Sequence, residues 1–432
     1  MNEVQNPWQA FVFHLIAGLA AMSEHDRRRG WLLVVFAALL PLALALDRDA
    51  VDTYWATVWS TAVQPADTGA GYVAQPLRHE TLRQFVRLPI AGTALRIRFS
   101  NAEAPQTVNI ARATVALRSG HWSAEPGTMR SLTFGGRQDV DIAPGAMVVT
   151  DPVPVNLAAG AELAISIYVP EGVGPPTLHL NALQASYASG PTDVSEALSF
   201  PSDAKQLASW YWLSGVDMRV HERVRVLVVI GDSIADGVGS TPDRNRRLVD
   251  QLNERLAARP GSDARLIAVN AGIAGNRLLN DVIGRSLLAR FDRDVLQVGG
   301  EFAMVSIGTV DIAFSEGADD PADIVTAGRL IDGFEQLARH ANSAGVRLIA
   351  ATLTPSKGAN SYSPEGEAIR QAVNDWIRTS PLFYSVVDFD QILRDPDEPA
   401  RLRADYNSGD DIHPNDLGYK LMADAASMAI PR

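Results

Sequence analysis

The chain has 432 residues, of which 47% are hydrophobic and 20% are charged, and it contains no cysteine. This length suggests two domains, and the composition is that of a folded protein rather than a disordered one. The net charge of −12 comes without a basic stripe, which argues against a nucleic-acid partner. The lack of cysteine excludes disulfides and thiol chemistry.

The N-terminus is predicted to be a targeting segment. Three arginines at residues 27–29 precede an apolar run at residues 31–46, which contains the small-residue site 43–45. This order is typical of a secretory signal peptide, so residues 1–45 are predicted to be a leader that is cleaved after Ala45. Translation starting at Met22 would fit the pattern better than the upstream residues do.

The alternative for this segment is an uncleaved membrane anchor formed by residues 31–46. The run has 16 residues, and a membrane-spanning helix needs about 20. We therefore expect export to the periplasm or the cell exterior, with membrane contact only through the leader if it stays uncleaved.

Residues 46–220 are predicted to form an accessory β-sandwich domain. Short runs of alternating apolar and polar residues, such as 95–99 and 163–169, are separated by clusters of glycine, proline and asparagine. Such spacing is typical of antiparallel strands in a sandwich.

From about residue 223 the pattern changes to alternating strands and helices. After a first strand that ends near residue 231, strands are predicted at 266–270, 302–307, 348–353 and 386–389, and helices at 244–258, 324–343, 365–378 and 415–429. The alternation predicts a doubly wound parallel sheet of the flavodoxin-like α/β class over residues 221–432.

Two short motifs in this second region suggest nucleophilic catalysis. The first predicted strand is apolar and ends in Gly231, Asp232 and Ser233, where open α/β sheets bind their ligands. Asp410 and His413 follow near the end of the chain, spaced so that one loop can present both. A serine hydroxyl needs a base, and the base needs a group that fixes its tautomer.

Alternatives to this triad stay open at the level of sequence. Asp411 competes with Asp410 as the group that orients His413. Ser233 alone could be a strand-capping hydroxyl, and His413 alone could be a loop histidine before a helix.

Other catalytic motifs do not fit the chain. Ala235 occupies the place where an α/β-hydrolase elbow needs glycine, and Gly231, Gly237 and Gly239 do not have dinucleotide-binding spacing. The histidines show no zinc-binding spacing. We therefore expect neither a cofactor nor a metal.

Four segments in order resemble the motif blocks of the SGNH (GDSL) esterase and lipase family. They are Gly231-Asp232-Ser233, residues 270–276, residues 308–311, and Asp410 with His413. The resemblance covers residues 223–432, and the stretches 275–279 and 413–415 look like a bacterial exported subgroup with an N-terminal β domain.

The resemblance implies a three-layer α/β/α fold and hydrolysis of carboxylic esters without a metal. It implies Ser233 as nucleophile, His413 as general base and acid, and Asp410 as the residue that orients His413. It also implies that the backbone N–H groups of Ser233 and Gly275 donate to the oxyanion.

One position departs from the family pattern. The third block normally contains an asparagine that donates a further hydrogen bond to the oxyanion, and this chain has Val310 there. Removing such a donor typically costs about 10²–10³ in turnover. The site would then work with two donors, or recruit Asn276, or be inactivated by Val310.

The aromatic residues Trp210 and Trp212 have two interpretations. They are candidates for stacking on a sugar or acyl group near the domain junction, and the alternative is packing between the domains. The β domain likewise either binds carbohydrate or shapes one wall of the cleft.

We interpret the chain as an exported two-domain serine esterase that deacylates a small-acyl ester, for which an acetylated sugar or glycan is the favoured substrate. The alternatives are a lipase or acyl-thioesterase, and a glycan-binding pseudoenzyme in which Val310 marks lost catalysis. The sequence carries no prediction of oligomeric state.

Overall fold

The computed structural model describes residues 53–66, 77–171, 174–259, 264–315, 318, 320–321 and 323–430. Residues from Tyr54 onward form one compact unit. The predicted leader and anchor lie outside the described residues. Within the described ranges, no helix is long and apolar enough to cross a membrane.

The N-terminal region is built from seventeen strands in the described residues. They are β1 (Tyr54–Ser60), β2 (Gln64–Pro65), β3 (Glu80–Arg87), β4 (Gly92–Ser100), β5 (Val108–Ile110), β6 (Arg112–Gly120), β7 (Ser123–Ala124), β8 (Arg130–Leu132), β9 (Val140–Ile142), β10 (Met147–Val149), β11 (Val153–Leu157), β12 (Glu162–Val169), β13 (Thr177–His179), β14 (Ser186–Ala188), β15 (Lys205–Leu207), β16 (Trp210–Tyr211) and β17 (Leu213–Val220).

These strands form two larger antiparallel sheets and two small ones. The first has the order β1-β17-β4-β10, with β11 also on β4, and the second has the order β15-β14-β3-β12-β6-β7, with β8 on β6. The small sheets are β16-β13-β2 and β5-β9. Apolar residues of both larger sheets, such as Ile97 and Ile165, belong to one core. The prediction of an N-terminal β region is thus confirmed.

The C-terminal region alternates strands and helices. Its elements are β18 (Val224–Gly231), α1 (Ser233–Asp236), α2 (Leu248–Ala257), β19 (Arg265–Gly272), α3 (Leu287–Phe291) with a π-helical turn (Asp292–Leu296), β20 (Phe302–Ser306), α4 (Thr309–Ser315), α5 (Ala327–Ser343), β21 (Arg347–Ala351), α6 (Pro364–Thr379), β22 (Ser385–Val387), α7 (Phe389–Leu393), a 3₁₀ turn (Ala404–Tyr406) and α8 (Asp416–Ala429).

The five strands of this region form one parallel sheet with the order β19-β18-β20-β21-β22. Numbered from the first strand, this is the 2-1-3-4-5 order of flavodoxin-like folds. The α/β prediction is therefore confirmed. The order reverses beside β18, which places the end of that strand at the topological switch point where such sheets bind ligands.

Both faces of the parallel sheet are buried. Val226 and Val228 of β18 face a core that also contains residues of α5 and α6, whereas Leu227 faces a second core with residues of α2 and α8. Because a covered parallel strand needs apolar side chains on both faces, β18 is almost wholly aliphatic. The layers are thus helices, sheet and helices, as predicted.

The first of these cores continues into the N-terminal sheets. It contains Ile97 of β4 and Val216 of β17 together with Val228 of the parallel sheet. The change from antiparallel to parallel strands falls between β17 and β18, next to the predicted boundary at residues 220 and 221. The two regions therefore share apolar packing although they differ in sheet type.

Candidate functional site

Ser233 stands at the first position of helix α1, separated from the end of strand β18 by Asp232 alone. Gly231 is required at the exit of the strand, because a Cβ there would lie 1.8 Å from the Ser306 carbonyl oxygen. Asp232 caps the helix, since its Oδ1 accepts from the Ile234 N–H at 3.0 Å. The Asp232 N–H donates to the Ser306 carbonyl at 3.1 Å, which joins the turn to strand β20.

The structure brings Ser233, His413 and Asp410 into one hydrogen-bonded chain. The Nε2 atom of His413 lies 2.7 Å from the Ser233 Oγ, and its Nδ1 atom lies 2.6 Å from the Asp410 Oδ2. When Nδ1–H donates to the carboxylate, Nε2 carries a lone pair that can accept the serine proton.

Asp410 is held in place by its own loop. Its Oδ1 atom accepts from the backbone N–H groups of Ile412, at 3.0 Å, and His413, at 2.8 Å. Partial burial disfavours the charged carboxylate, but these hydrogen bonds and the one from the His413 ring outweigh burial and lower the pKa of Asp410 to about 2. The residue is therefore ionised throughout the neutral range.

Asp411 bonds to residues other than the imidazole. Its Oδ1 atom accepts from the Asn407 side-chain amide at 2.7 Å and lies 3.6 Å from the Arg401 guanidinium. The residue has a positive φ of 64°. Of the two aspartates, only Asp410 contacts His413.

The loop after helix α1 lies close against the loop that carries His413, a contact that no motif in the sequence predicts. A Cβ at Gly239 would lie 2.6 Å from the Pro414 carbonyl oxygen and 3.0 Å from the His413 Cβ. The Tyr419 hydroxyl of α8 donates to the Val238 carbonyl at 2.6 Å. Gly239 thus permits the close approach, and Tyr419 ties the two loops together.

The backbone amides of Ser233 and Gly275 are the candidate oxyanion donors. Within the described residues, neither amide has a hydrogen-bond partner. Gly275 follows β19, the neighbour of β18, and it adopts a positive φ of 79°. A Cβ at this position would lie 2.5 Å from Ile283, so glycine is favoured by both conformation and space.

The Asn276 side chain already makes hydrogen bonds to other groups. Its Nδ2 atom donates to the carbonyls of Ile283 and Arg285 at 3.1 and 2.8 Å, and its Oδ1 atom accepts from the Arg290 Nε at 3.0 Å. The side chain is fully buried. The structure therefore does not support recruitment of the Asn276 side chain as a donor.

Val310 is the second residue of helix α4, at the end of strand β20. Its neighbour Asp311 is buried and accepts from the N–H groups of Leu278 and Leu279 at 2.8 and 3.2 Å. Burial raises the pKa of Asp311 to about 6, against these hydrogen bonds. The segments 275–279 and 308–311 are thus bonded together, with an aliphatic side chain at position 310.

Trp210 and Trp212 do not offer an exposed face. They are 3% and 0% exposed, and the Trp210 ring packs edge-on against Trp59 with a centroid distance of 4.9 Å. The Trp210 Nε1–H donates to the Phe85 carbonyl at 3.2 Å. A sugar cannot stack on a ring without an exposed face, so the structure corrects the stacking interpretation in favour of core packing.

Within the described residues, no group of three or more histidine, aspartate or glutamate side chains is arranged to hold a metal ion. The chemistry that the site offers is nucleophilic attack by an activated hydroxyl.

Residues 229–421 match the model of the GDSL-like Lipase/Acylhydrolase family. The C-terminal region is therefore a GDSL-like acylhydrolase domain, a carboxylic ester hydrolase of the class that the motifs resembled. A comparison with curated proteins gave no match.

Three solved structures illustrate how much of the chain is similar to known proteins. An alpha/beta hydrolase enzyme from the metagenome of Lake Arreo, Spain, is 26% identical, with 48% of this chain and 95% of that chain covered and a TM-score of 0.38. A GDSL-like lipase from Bacteroides thetaiotaomicron is 18% identical, with coverage of 48% and 87% and a TM-score of 0.36. A mutant acetyl-xylooligosaccharide esterase from Geobacillus is 20% identical, with coverage of 49% and 96% and a TM-score of 0.38.

Proposed function

We propose that the chain is a serine esterase in which Ser233 attacks the ester carbonyl. The observation that carries the proposal is the chain of hydrogen bonds from Ser233 through His413 to Asp410, with distances of 2.7 and 2.6 Å. His413 takes the serine proton through Nε2 and returns it to the leaving alcohol, and the Asp410 carboxylate stabilises the imidazolium that forms.

The oxyanion is held by the backbone N–H groups of Ser233 and Gly275. Two amides suffice for a working oxyanion hole in other serine hydrolases. In this proposal Val310 lowers the turnover without abolishing it, because one side-chain donor is missing.

The proposed substrate is a small-acyl ester of a sugar or glycan outside the cytoplasm. Support comes from the predicted leader and from the β region that precedes the hydrolase domain, and the proposed leaving group is an alcohol of the sugar. The proposal also includes export of the protein and a division into a β domain at residues 46–220 and a hydrolase domain at residues 221–432.

A fluorophosphonate probe tests the nucleophile, and a set of p-nitrophenyl esters tests the acyl group. The probe should label Ser233, located by mass spectrometry of the digested protein, and the acetyl ester should be cleaved faster than the octanoyl or dodecanoyl ester. Labelling elsewhere would refute the assignment of Ser233. Rates that rise with acyl length would refute the small-acyl substrate and favour a lipase or acyl-thioesterase instead.

The second candidate function is a glycan-binding pseudoenzyme, and the observation that favours it is Val310. Its signature would be binding of acetylated oligosaccharides, measured by calorimetry, without turnover and without probe labelling of Ser233.

A further inference from the structure

A buried histidine of the N-terminal region contacts the helix that carries Ser233. His179, the last residue of β13, places its Nε2 atom 3.1 Å from the Oδ1 atom of Asp236, and the two side chains are 1% and 2% exposed. Asp236 lies on α1, one helical turn after Ser233. A side chain from the β region therefore contacts the helix of the nucleophile directly.

Both nitrogens of the His179 ring face hydrogen-bond acceptors. Its Nδ1 atom lies 2.9 Å from the Ala62 carbonyl oxygen, and its Nε2 atom lies 3.2 Å from the Asn181 carbonyl oxygen in addition to the Asp236 carboxylate. A neutral imidazole has one N–H and cannot donate in both directions, whereas the protonated ring can.

The charge on this ring follows from the same contacts. Burial disfavours the imidazolium, but the Asp236 carboxylate and the two carbonyls outweigh burial, and the pKa of His179 is raised. His179 and Asp236 thus form a buried hydrogen-bonded pair whose contacts favour the protonated ring. Removing the histidine would leave the buried Asp236 carboxylate without this donor, which is costly for a buried charged group.

The other oxygen of the same carboxylate reaches the candidate oxyanion loop. Asp236 Oδ2 accepts from the Ala274 N–H at 3.2 Å, and the Asp236 carbonyl accepts from the Asn270 side-chain amide at 3.1 Å. Ala274 directly precedes Gly275. The Asp236 carboxylate therefore links His179, the helix that carries Ser233, and the backbone N–H of Ala274 just before Gly275.

We propose that His179 is a positioning residue of the esterase site, whose ring fixes the Asp236 carboxylate and thereby the Ala274–Gly275 segment that donates to the oxyanion. The inference rests on the proposed function in that it assigns Gly275 to the oxyanion hole. It gives the β region a part in the catalytic geometry that is independent of any glycan binding.

A second connection between the two regions leads to the same loop. Glu103 of the N-terminal region pairs with Arg293, and Arg293 pairs with Asp294 at 2.7 Å. Asp294 in turn holds Arg290 at 2.9 Å, and the Arg290 Nε donates to Asn276 at 3.0 Å. The segment 274–276 is thus held on both sides by contacts that begin in the β region.

The test is His179→Gln in the full-length chain. Glutamine keeps a donor but removes the charge and one direction of donation. The Ala274 amide, followed by hydrogen exchange with mass spectrometry, should exchange roughly 10-fold faster than in the wild type, because its acceptor is no longer fixed. We expect kcat for p-nitrophenyl acetate to fall about 10- to 100-fold with KM little changed, since small misplacements at a reacting centre have effects of this size.

Asp236→Asn is the conservative partner variant. Its Oδ1 can still accept from Ala274, and its amide can donate to a neutral His179 whose Nδ1–H keeps the Ala62 carbonyl. We therefore expect a smaller loss of kcat than in His179→Gln. The double variant should lose less than the product of the two single losses, because both substitutions disrupt one contact.

Thr57→Val is the matched control. Thr57 is a buried residue of β1 whose hydroxyl donates to Asp217 at 3.0 Å and accepts from Arg98 at 3.1 Å, both in the N-terminal sheet. The control should lower thermal stability while leaving kcat and exchange at Ala274 unchanged. Equal effects of Thr57→Val and His179→Gln on kcat would overturn the positioning role and indicate a general effect of stability.

The outcomes separate this inference from the proposed function. Unchanged exchange and kcat in His179→Gln, with hydrolysis still dependent on Ser233, would overturn the role of His179 and leave the esterase intact. Hydrolysis that does not depend on Ser233 would overturn the proposed function. Exchange at Ala274 would then still report whether His179 holds the loop.

Discussion

Asp410→Asn should reduce turnover far more than the same substitution at the neighbouring Asp411. The asparagine Oδ1 can still accept from the N–H groups of Ile412 and His413, so the loop geometry is kept. Its amide nitrogen, however, would replace the oxygen that lies 2.6 Å from His413 Nδ1. A donor at this place favours the tautomer with the proton on Nε2, which then cannot accept the Ser233 proton.

The expected loss of kcat for p-nitrophenyl acetate is about 10⁴-fold, or roughly 5.5 kcal/mol, as for the same substitution in other triads. KM should change little, because Asp410 contacts His413 rather than the substrate. The melting temperature, followed by circular dichroism, checks that the variant is folded.

Asp411→Asn is the matched control, because this neighbour bonds to Asn407 and leaves His413 untouched. It should keep kcat within about threefold of the wild type. If Asp410→Asn keeps its activity, or if Asp411→Asn loses as much, Asp410 does not orient His413 and the reasoning is refuted.

The remaining predictions concern three further positions. Val310→Asn should raise kcat at least about 10-fold by restoring a donor; no gain in a folded variant, measured with the same ester, would refute the missing-donor account. Burial raises the pKa of Asp232 from 3.8 to about 7, so folding favours the protonated carboxyl. This stabilisation is complete below pH 3.8 and is lost as the pH rises through 7. Urea unfolding at pH 5 and pH 8 should therefore show a smaller decline for Asp232→Asn than for the wild type, by up to about 3 kcal/mol, and equal declines would contradict the raised pKa. Gly239→Ala should lower kcat sharply by displacing His413, whereas Gly345→Ala, which has a similar positive φ and no nearby atom, should affect only stability; equal kinetics in the two variants would contradict the close approach.

Several element boundaries could not be predicted from the sequence alone. The predicted strand 386–389 ends at Val387, and Phe389 begins α7 after Asp388 caps it. An apolar run cannot distinguish the end of a strand from the start of a helix. The helix predicted from residue 244 begins at Leu248, because Asp243 and Asn245 have positive φ values of 60° and 51°.

The parallel sheet was predictable because buried parallel strands require long aliphatic runs, and β18 has one. The proximity of Ser233 and His413 was predictable only through the family's motif order, since 180 residues separate them.

The contacts of His179 and Arg290 were not predictable. Each joins segments that are distant in sequence. Local spacing in the sequence does not predict which buried carboxylate a histidine or arginine will contact. Their partners, Asp236 and Asp294, become evident only once the sheets are packed.

The most direct test of the account is hydrolysis of p-nitrophenyl acetate by the full-length chain beside Ser233→Ala. Ser427→Ala on α8 serves as a control for removing a serine hydroxyl, since its Oγ bonds only locally to the Asp424 carbonyl. The account predicts turnover in the wild type and in the control, and a fall to the uncatalysed background in Ser233→Ala. Equal rates in all three proteins would contradict a serine esterase at this site.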